Sequence, residues 1–175
     1  MLITDMLFNC EWSQKVVVIT VIAILFIFAI ILSLMRKALI YRRNDMKVAV
    51  ALTSISILLS VVSLAPFFYM PQSILIDSKK IIINRLIGQK QIQIKDIYLI
   101  EQYSSKDSSV RIFASGGLFG YIGYFKSGGI LYKMFVLNES QMVLIKTNSE
   151  NIVLSCNKRD SFIRIIKELK VKAQK

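Results

Sequence analysis

Histidine is absent from the 175-residue chain, and cysteine and proline each occur only twice. Without histidine there is no imidazole to act as a general base, which excludes the catalytic schemes that need one. The two cysteines, Cys10 and Cys156, are too few for a zinc site built from cysteine or for a disulfide framework. Acidic residues are also scarce, since 11 Asp and Glu stand against 23 Lys and Arg. The chain is therefore strongly basic, with a formal net charge of +12.

Charged residues make up only 19% of the chain and hydrophobic residues 54%. This composition excludes a disordered chain, which would be polar and highly charged. The mean hydropathy of +0.55 is high for a soluble domain. Two long runs, residues 16–35 and 48–68, contain no charged residue. As helices rising about 1.5 Å per residue, each would span roughly 30 Å, the thickness of a hydrocarbon core.

The short basic loop between these runs predicts a transmembrane helical hairpin within residues 1–72. The alternative, two buried core helices of a soluble protein, is disfavoured because such helices rarely stay uncharged for so long. A cleaved signal peptide is rejected, since Asp5 and Glu11 precede a core that is too long for one. The orientation of the hairpin in the membrane stays open. The basic loop between the helices favours a cytoplasmic position for the loop, which would place the C-terminal part outside. The C-terminal part is itself basic, however, and this favours a position at the anionic cytoplasmic leaflet.

Small and hydroxyl residues recur on one face of the second run, at steps of four and three. They are Ala49, Thr53, Ser56, Ser60 and Ser63. Such residues let helices approach closely in lipid, where no hydrophobic effect drives helices together. The pattern favours packing against the first helix, and a polar pathway or an oligomer seam is the alternative.

Residues 73–175 predict one small domain of about seven or more short strands, rich in Ile, Val, Tyr and Phe. Their spacing of about ten residues indicates an antiparallel meander, sandwich or barrel. The period then changes, because apolar residues recur at helical steps: Phe162, Ile165, Ile166 and Leu169. We expect a C-terminal amphipathic helix that covers the sheet, with Asn157 as its N-cap.

Six of the seven glycines lie between Gly116 and Gly129, interleaved with aromatic residues. A phosphate-binding loop would need a following helix and a Gly-Lys-Ser/Thr sequence, and both are missing. Two interpretations remain: a bent edge segment with glycines at bulges, or a partner-binding surface. The residues predicted for such a surface are Gly116, Gly117, Phe119, Gly120, Tyr121, Gly123 and Tyr124.

The run Arg-Ile-Phe-Ala-Ser-Gly-Gly-Leu-Phe-Gly-Tyr-Ile-Gly-Tyr-Phe at 111–125, after two membrane spans, resembles the bacterial PH-domain membrane proteins. The strands Met-Val-Leu-Ile-Lys-Thr at 142–147 and Asn-Ile-Val-Leu-Ser at 151–155 extend the resemblance, as does Asp-Ser-Phe-Ile at 160–163. The resemblance implies an α+β membrane protein in which a PH-like, bent, seven-stranded antiparallel β-barrel is capped by a C-terminal helix. It also implies the bacterial cytoplasmic membrane, and it brings no catalytic residues.

No paired-carboxylate or nucleophile–base spacing occurs in the chain, so we predict no catalysis, no cofactor and no small-molecule substrate. The net charge has a membrane explanation, and no nucleic acid is predicted as a partner. The preferred interpretation is a membrane-anchored interaction or scaffold module that binds a protein partner or self-associates. The alternative is recognition of anionic lipid headgroups by Lys79, Lys80 and Arg85, which follow the second span in sequence.

Overall fold

The computed structural model describes residues 6–104 and 110–173. Residues 1–5, 105–109 and 174–175 lie outside the described residues, and with them the ends of the predicted units 1–72 and 73–175. Three helices and ten strands occupy the described ranges. In chain order they are β1 (Met6–Asn9), α1 (Gln14–Tyr41), α2 (Met46–Tyr69), β2 (Pro71–Ile76), β3 (Lys80–Arg85), β4 (Gln89–Gln93), β5 (Ile97–Gln102), β6 (Val110–Gly117), β7 (Gly120–Ser127), β8 (Ile130–Val136), β9 (Met142–Thr147), β10 (Asn151–Ser155) and α3 (Arg159–Ala173).

The two apolar runs form α1 and α2, which pack against each other as a helical hairpin. Both helices begin at a side-chain cap: the hydroxyl of Ser13 accepts the N–H of Val16, and the carboxylate of Asp45 accepts those of Lys47 and Val48. Each helix is long and apolar enough to cross a membrane, and only 11% of its most apolar stretch is buried. This exposure is the opposite of what a soluble core helix shows.

The small-residue stripe of α2 lies partly against α1, since Ala49 and Ser56 are buried. Its hydroxyl groups bond within α2, as Ser56 donates to the carbonyl of Leu52 at 2.8 Å and Ser60 to that of Ser56 at 2.8 Å. Thr53 and Ser63 bond to the preceding turn in the same way. The hydrogen bonds described for these four hydroxyls all lie within α2, and the buried Ala49 and Ser56 are the members of the stripe that indicate close helix packing.

The strands form two separate sheets that do not close into a barrel. One has the order β1-β2-β3-β4, and the other the order β5-β9-β10-β8-β7-β6. The first sheet is antiparallel throughout, but β10 runs parallel to β8 in the second. The predicted antiparallel meander is therefore wrong at this pair, because the chain crosses over between β8 and β10 through β9. The predicted barrel is not confirmed.

The chain before α1 contributes a strand to the first sheet. β1 pairs antiparallel with β2, with Phe8 opposite Ile74. The side chain of Phe8 is 6% exposed, and its ring meets that of Phe162 edge to face at 5.2 Å. The helical hairpin is thus inserted between two paired strands, so the N-terminal segment packs as part of the β-rich unit.

The main core lies between the first sheet, one face of the second sheet and α3. Isoleucines dominate it, and Ile76, Ile81, Ile83, Ile145 and Ile152 are all fully buried. Each such side chain contributes about 1.5–3 kcal/mol relative to an exposed position. A second cluster, which includes Phe125, Met134 and Val153, covers the opposite face of the six-stranded sheet.

Helix α3 covers this core through the predicted apolar face, since Phe162 and Ile166 are fully buried and Ile165 packs against the core cluster. The N-cap prediction is wrong. The helix begins at Arg159, and Asn157 instead binds the N-terminal segment: it accepts the N–H of Asn9 at 3.1 Å and donates to Glu11 at 3.3 Å. The amide side chain of Asn157 therefore ties β1 to the start of α3.

Candidate functional site

The glycine-aromatic run forms the β6–β7 hairpin. Gly117, Gly120 and Gly123 adopt φ values of +113°, +102° and +120°, a region that L side chains rarely enter. Close approach adds a second requirement, because a Cβ on Gly120 would lie 2.6 Å from the carbonyl oxygen of Val136. The glycines therefore permit a strongly bent hairpin that packs tightly on β8.

The tip of this hairpin is bound to helix α1 by two hydrogen bonds. The hydroxyl of Thr20 donates to the carbonyl of Gly117 at 3.3 Å and accepts the N–H of Phe119 at 3.0 Å. Ile19 on the same helix lies 3.2 Å from the position that a Cβ of Gly117 would take. We call Thr20, Gly117 and Phe119 the clasp, because they join the β-rich unit to the helical hairpin.

Aromatic rings surround the clasp. The ring of Phe119 meets Trp12 edge to face at 6.3 Å and Phe67 at 5.4 Å. Phe119 is 6% exposed, which is unusual for a hydrophobic residue at a hairpin tip. The hairpin thus inserts this ring between the start of α1 and the end of α2.

The seven residues predicted as a partner surface are divided by the fold. Gly117, Phe119 and Gly120 are buried. Gly117 and Phe119 are buried by contacts with helices α1 and α2. Gly116, Tyr121 and Gly123 are half-buried, and Tyr124 is exposed. Tyr124 is therefore the member of the set that offers most surface to another molecule.

A more exposed apolar surface lies on β6 itself, which ends the six-stranded sheet. Phe113 is 83% exposed and Ile112 59%. The pairing with β7 shifts between Arg111 and Phe113, so Ile112 occupies a bulge. Within the described ranges no strand pairs with the outer side of β6. The predicted edge segment at 116–129 includes the end of β6, but the sequence did not mark Ile112 and Phe113, because strand order is set by contacts between distant segments.

A polar cavity opens where α1 meets the second face of the six-stranded sheet. It measures about 540 Å³, and Lys15, Tyr121, Glu139 and Arg159 contribute to its lining. The ammonium of Lys15 donates to Glu139 at 2.9 Å. Burial raises the pKa of Glu139. The hydrogen bonds from Tyr121 and Lys15 lower it by more, so the pKa of Glu139 lies below its ordinary value. Burial raises the pKa of Tyr121. The cavity thus holds a charged pair beside a neutral phenol.

The three cations predicted to bind headgroups do not form one cluster. Lys79 lies in the β2–β3 turn and Lys80 begins β3, whereas Arg85 ends β3 opposite Pro71, next to α2. Six residues of strand separate the two ends by roughly 17–20 Å. The N–H of Ile87 donates to the carbonyl of Phe68 at 3.1 Å, which fixes the β3–β4 turn on the end of α2. Only Arg85 of the three is therefore held at the helix end.

Arg85 lies among aromatic rings. Its guanidinium carbon is 5.7 Å from the ring centre of Tyr69 and 5.9 Å from that of Phe135. The ammonium of Lys133 is 6.0 Å from the same Phe135 ring and 5.3 Å from that of Tyr124. The fold thus brings together two cations 48 positions apart in sequence, and no local pattern marks Lys133 as the partner of Arg85.

Within the described ranges no three His, Cys, Asp or Glu side chains form a group that could hold a metal ion. Cys10 and Cys156 are both buried and free. Burial raises the pKa of each thiol to about 12. The two cysteines therefore behave as small apolar core residues rather than as ligands.

Comparison with known proteins bears on the β-rich unit. No curated protein matches the chain. No solved structure matches it either. A family model does match, that of the bacterial PH domain, over residues 72–170. This range extends from β2 into α3 and includes more than half of the 175 residues, and it is preceded by two helices long and apolar enough to span a membrane. The predicted resemblance is confirmed, and the chain belongs to the bacterial PH domain family.

Proposed function

We propose that the protein is a membrane-anchored interaction module in the bacterial cytoplasmic membrane. PH domains are generally non-catalytic interaction modules. The 28 residues of α1 and the 24 of α2 give lengths of about 42 and 36 Å, enough for a hydrocarbon core of about 30 Å. Their apolar side chains are largely exposed in the isolated chain, and lipid would cover them.

The open edge of β6 is the surface that we assign to a protein partner. A single observation carries this assignment: β6 pairs with no described strand on its outer side and bears Ile112 and Phe113, of which Phe113 is 83% exposed. Exposed apolar edges are a liability that soluble domains usually avoid. An extended segment of another protein, or β6 of a second copy, would add a strand there and cover both side chains.

The test places a photo-crosslinking residue at position 113 of the full-length chain in native membranes. Position 171 is the matched control, because Val171 is also exposed, at 59%, but lies on α3. We expect position 113 to give a reproducible product, either a dimer of the 20.0 kDa chain or an adduct with one other protein. The product should be lost in Ile112→Gln. Equal products at both positions, or none, would contradict the assignment.

Protease accessibility decides which side of the membrane carries the β-rich unit. The residues between the helices include Arg42 and Arg43, which favour the cytoplasm for that end of the hairpin and the outer side for the β-rich unit. The net positive charge of the β-rich unit favours the opposite arrangement. Cleavage in intact spheroplasts would place the unit outside, and cleavage only in inverted vesicles would place it in the cytoplasm.

Recognition of anionic lipid headgroups is the second candidate function. The position of Arg85 favours it, because this residue lies over the ring of Tyr69, the last residue of α2. Lys79 and Lys80 lie at the other end of their hairpin and contribute less to this idea.

A further inference from the structure

We propose that Arg85 and Lys133 together bind the phosphate of one anionic lipid at the end of α2. The proposal rests on the second candidate function and adds a ligand group and a site to it. The shared neighbour of the two cations is the ring of Phe135, which is 2% exposed and forms the floor of the site. We call Arg85, Lys133 and Phe135 the phosphate site.

The two cations share one neighbour, the ring of Phe135. The guanidinium carbon of Arg85 and the ammonium of Lys133 lie 5.9 and 6.0 Å from one ring centre, so they are at most about 12 Å apart. Lys133 and Phe135 are two residues apart on β8 and project from the same face, while Arg85 comes from the facing sheet. A phosphate can accept from a guanidinium and an ammonium at once, and the proposal requires these two flexible side chains to converge on it.

No described carboxylate forms an ion pair with either cation of the phosphate site. Among the described residues, Lys15, Lys90 and Arg159 each form an ion pair with a carboxylate, but Arg85 and Lys133 do not. In addition, the Nε of Arg85 is buried without a hydrogen-bond partner in the described part of the chain. A buried donor without an acceptor is costly. A phosphate bound at the guanidinium would supply the missing negative charge.

The surroundings favour a lipid over a free phosphate. The β3–β4 turn next to Arg85 exposes Leu86 at 46% and Ile87 at 54%. The hydrogen bond from Ile87 to Phe68 holds this turn against the last turn of α2. Aromatic residues at the end of an apolar helix favour the membrane–water interface, where lipid phosphates lie. A phospholipid would place its phosphate on the two cations and its acyl chains along Leu86 and Ile87.

The experiment counts lipids bound to the full-length chain, in a neutral detergent, by native mass spectrometry. The probes are short-chain phosphatidylglycerol, short-chain phosphatidylcholine and inorganic phosphate. We expect phosphatidylglycerol to bind more tightly than phosphatidylcholine. Arg85→Gln and Lys133→Gln should each weaken phosphatidylglycerol binding about tenfold. Arg85→Lys should weaken it less, because it keeps the charge and loses only the planar group.

The matched controls are Lys79→Gln and Lys80→Gln, which remove the same charge at the far end of the β2–β3 hairpin. Unchanged lipid binding in these two variants supports the phosphate site, and an equal loss in all four would reduce the effect to net charge and overturn it. If inorganic phosphate competes as well as the lipid does, the lipid assignment is overturned.

The test does not depend on Arg85→Gln alone. Lys133→Gln removes a half-buried side chain at low structural cost, so it would still test the site if Arg85→Gln failed to fold. Crosslinking at position 113 should persist in both variants, which separates this proposal from the protein-binding one.

Discussion

The hydroxyl of Thr20 accepts the backbone N–H of Phe119 at 3.0 Å, although the two residues are 99 positions apart. Thr20 is 4% exposed and Phe119 6%. The same hydroxyl donates to the carbonyl of Gly117, so one side chain satisfies two backbone groups of the hairpin tip. A helix long enough to span a membrane is thus coupled to the β-rich unit through a polar contact sealed by aromatic rings.

Replacing Thr20 by valine should weaken this coupling. Valine has nearly the same shape, but it leaves the buried N–H of Phe119 and the carbonyl of Gly117 without their partner. An unsatisfied buried polar group costs about 1–3 kcal/mol. We expect Thr20→Val to lower the free energy of unfolding by that amount, measured by denaturation of the full-length chain in mild detergent.

Thr53→Val is the matched control for Thr20→Val. The hydroxyl of Thr53 donates at 2.9 Å to the carbonyl of Ala49, within its own helix. Its removal leaves the contact with the hairpin untouched, so stability should change by less than about 0.5 kcal/mol. Equal effects of the two substitutions would show that the clasp contributes nothing specific.

Alanine at Gly120 should destabilise the β6–β7 hairpin strongly. Its φ is +102°, and a Cβ would lie 2.6 Å from the carbonyl oxygen of Val136. Gly129 has a φ of +82°, but nothing lies within 4 Å of its Cβ position. Gly129→Ala should therefore cost only about 1–2 kcal/mol for the backbone strain, whereas Gly120→Ala should cost clearly more. Similar unfolding midpoints for the two variants would contradict a role for close packing.

The helices and the face of α3 were predictable because their patterns are local. An uncharged run of twenty residues and an apolar repeat of 3.6 residues are visible without any partner. Phe162 and Ile166 accordingly lie in the core as expected. The family was predictable for a different reason, since the run at 111–125 combines glycines and aromatics in an order with few alternatives.

Contacts between distant segments were not predictable from the same patterns. The parallel pairing of β10 with β8 depends on the register of Val153 and Met134, which no turn sequence specifies. Proximity in sequence was also a poor guide to the cations near the membrane. Lys79 follows α2 by only ten residues, yet the extended strand β2 places it roughly 20 Å from the end of that helix. Conversely, Lys133 is distant in sequence from Arg85 but shares the ring of Phe135 with it.

Phe8 provides a test of the N-terminal strand. Its ring is packed against Phe162 at 5.2 Å in the main core, so Phe8→Ala should cost about 3–5 kcal/mol. Leu7→Ala is the control, because Leu7 lies on the same strand but is 62% exposed, and its loss should cost less than about 0.5 kcal/mol. If both variants unfold at the same denaturant concentration, β1 contributes nothing to the core.

The buried thiols give a prediction about pH. Cys10 and Cys156 have pKa values raised by burial from 9.0 to about 12, so the folded chain favours their neutral form. Their contribution to stability is complete well below pH 9, where the unfolded chain also keeps its thiols protonated. It is lost as the pH rises from about 9 toward 12, because only the unfolded chain then releases these protons. The double variant Cys10→Ala/Cys156→Ala should flatten the fall in stability between pH 8 and 10, measured by denaturant unfolding.

The burial of the two thiols also predicts their reactivity. In the unsubstituted chain at pH 7.5, a thiol reagent should label both cysteines at least about a hundredfold faster after denaturation than before, since the thiolate fraction and the access of the reagent both rise on unfolding. Rapid labelling of the folded chain would place these thiols at the surface and contradict the prediction.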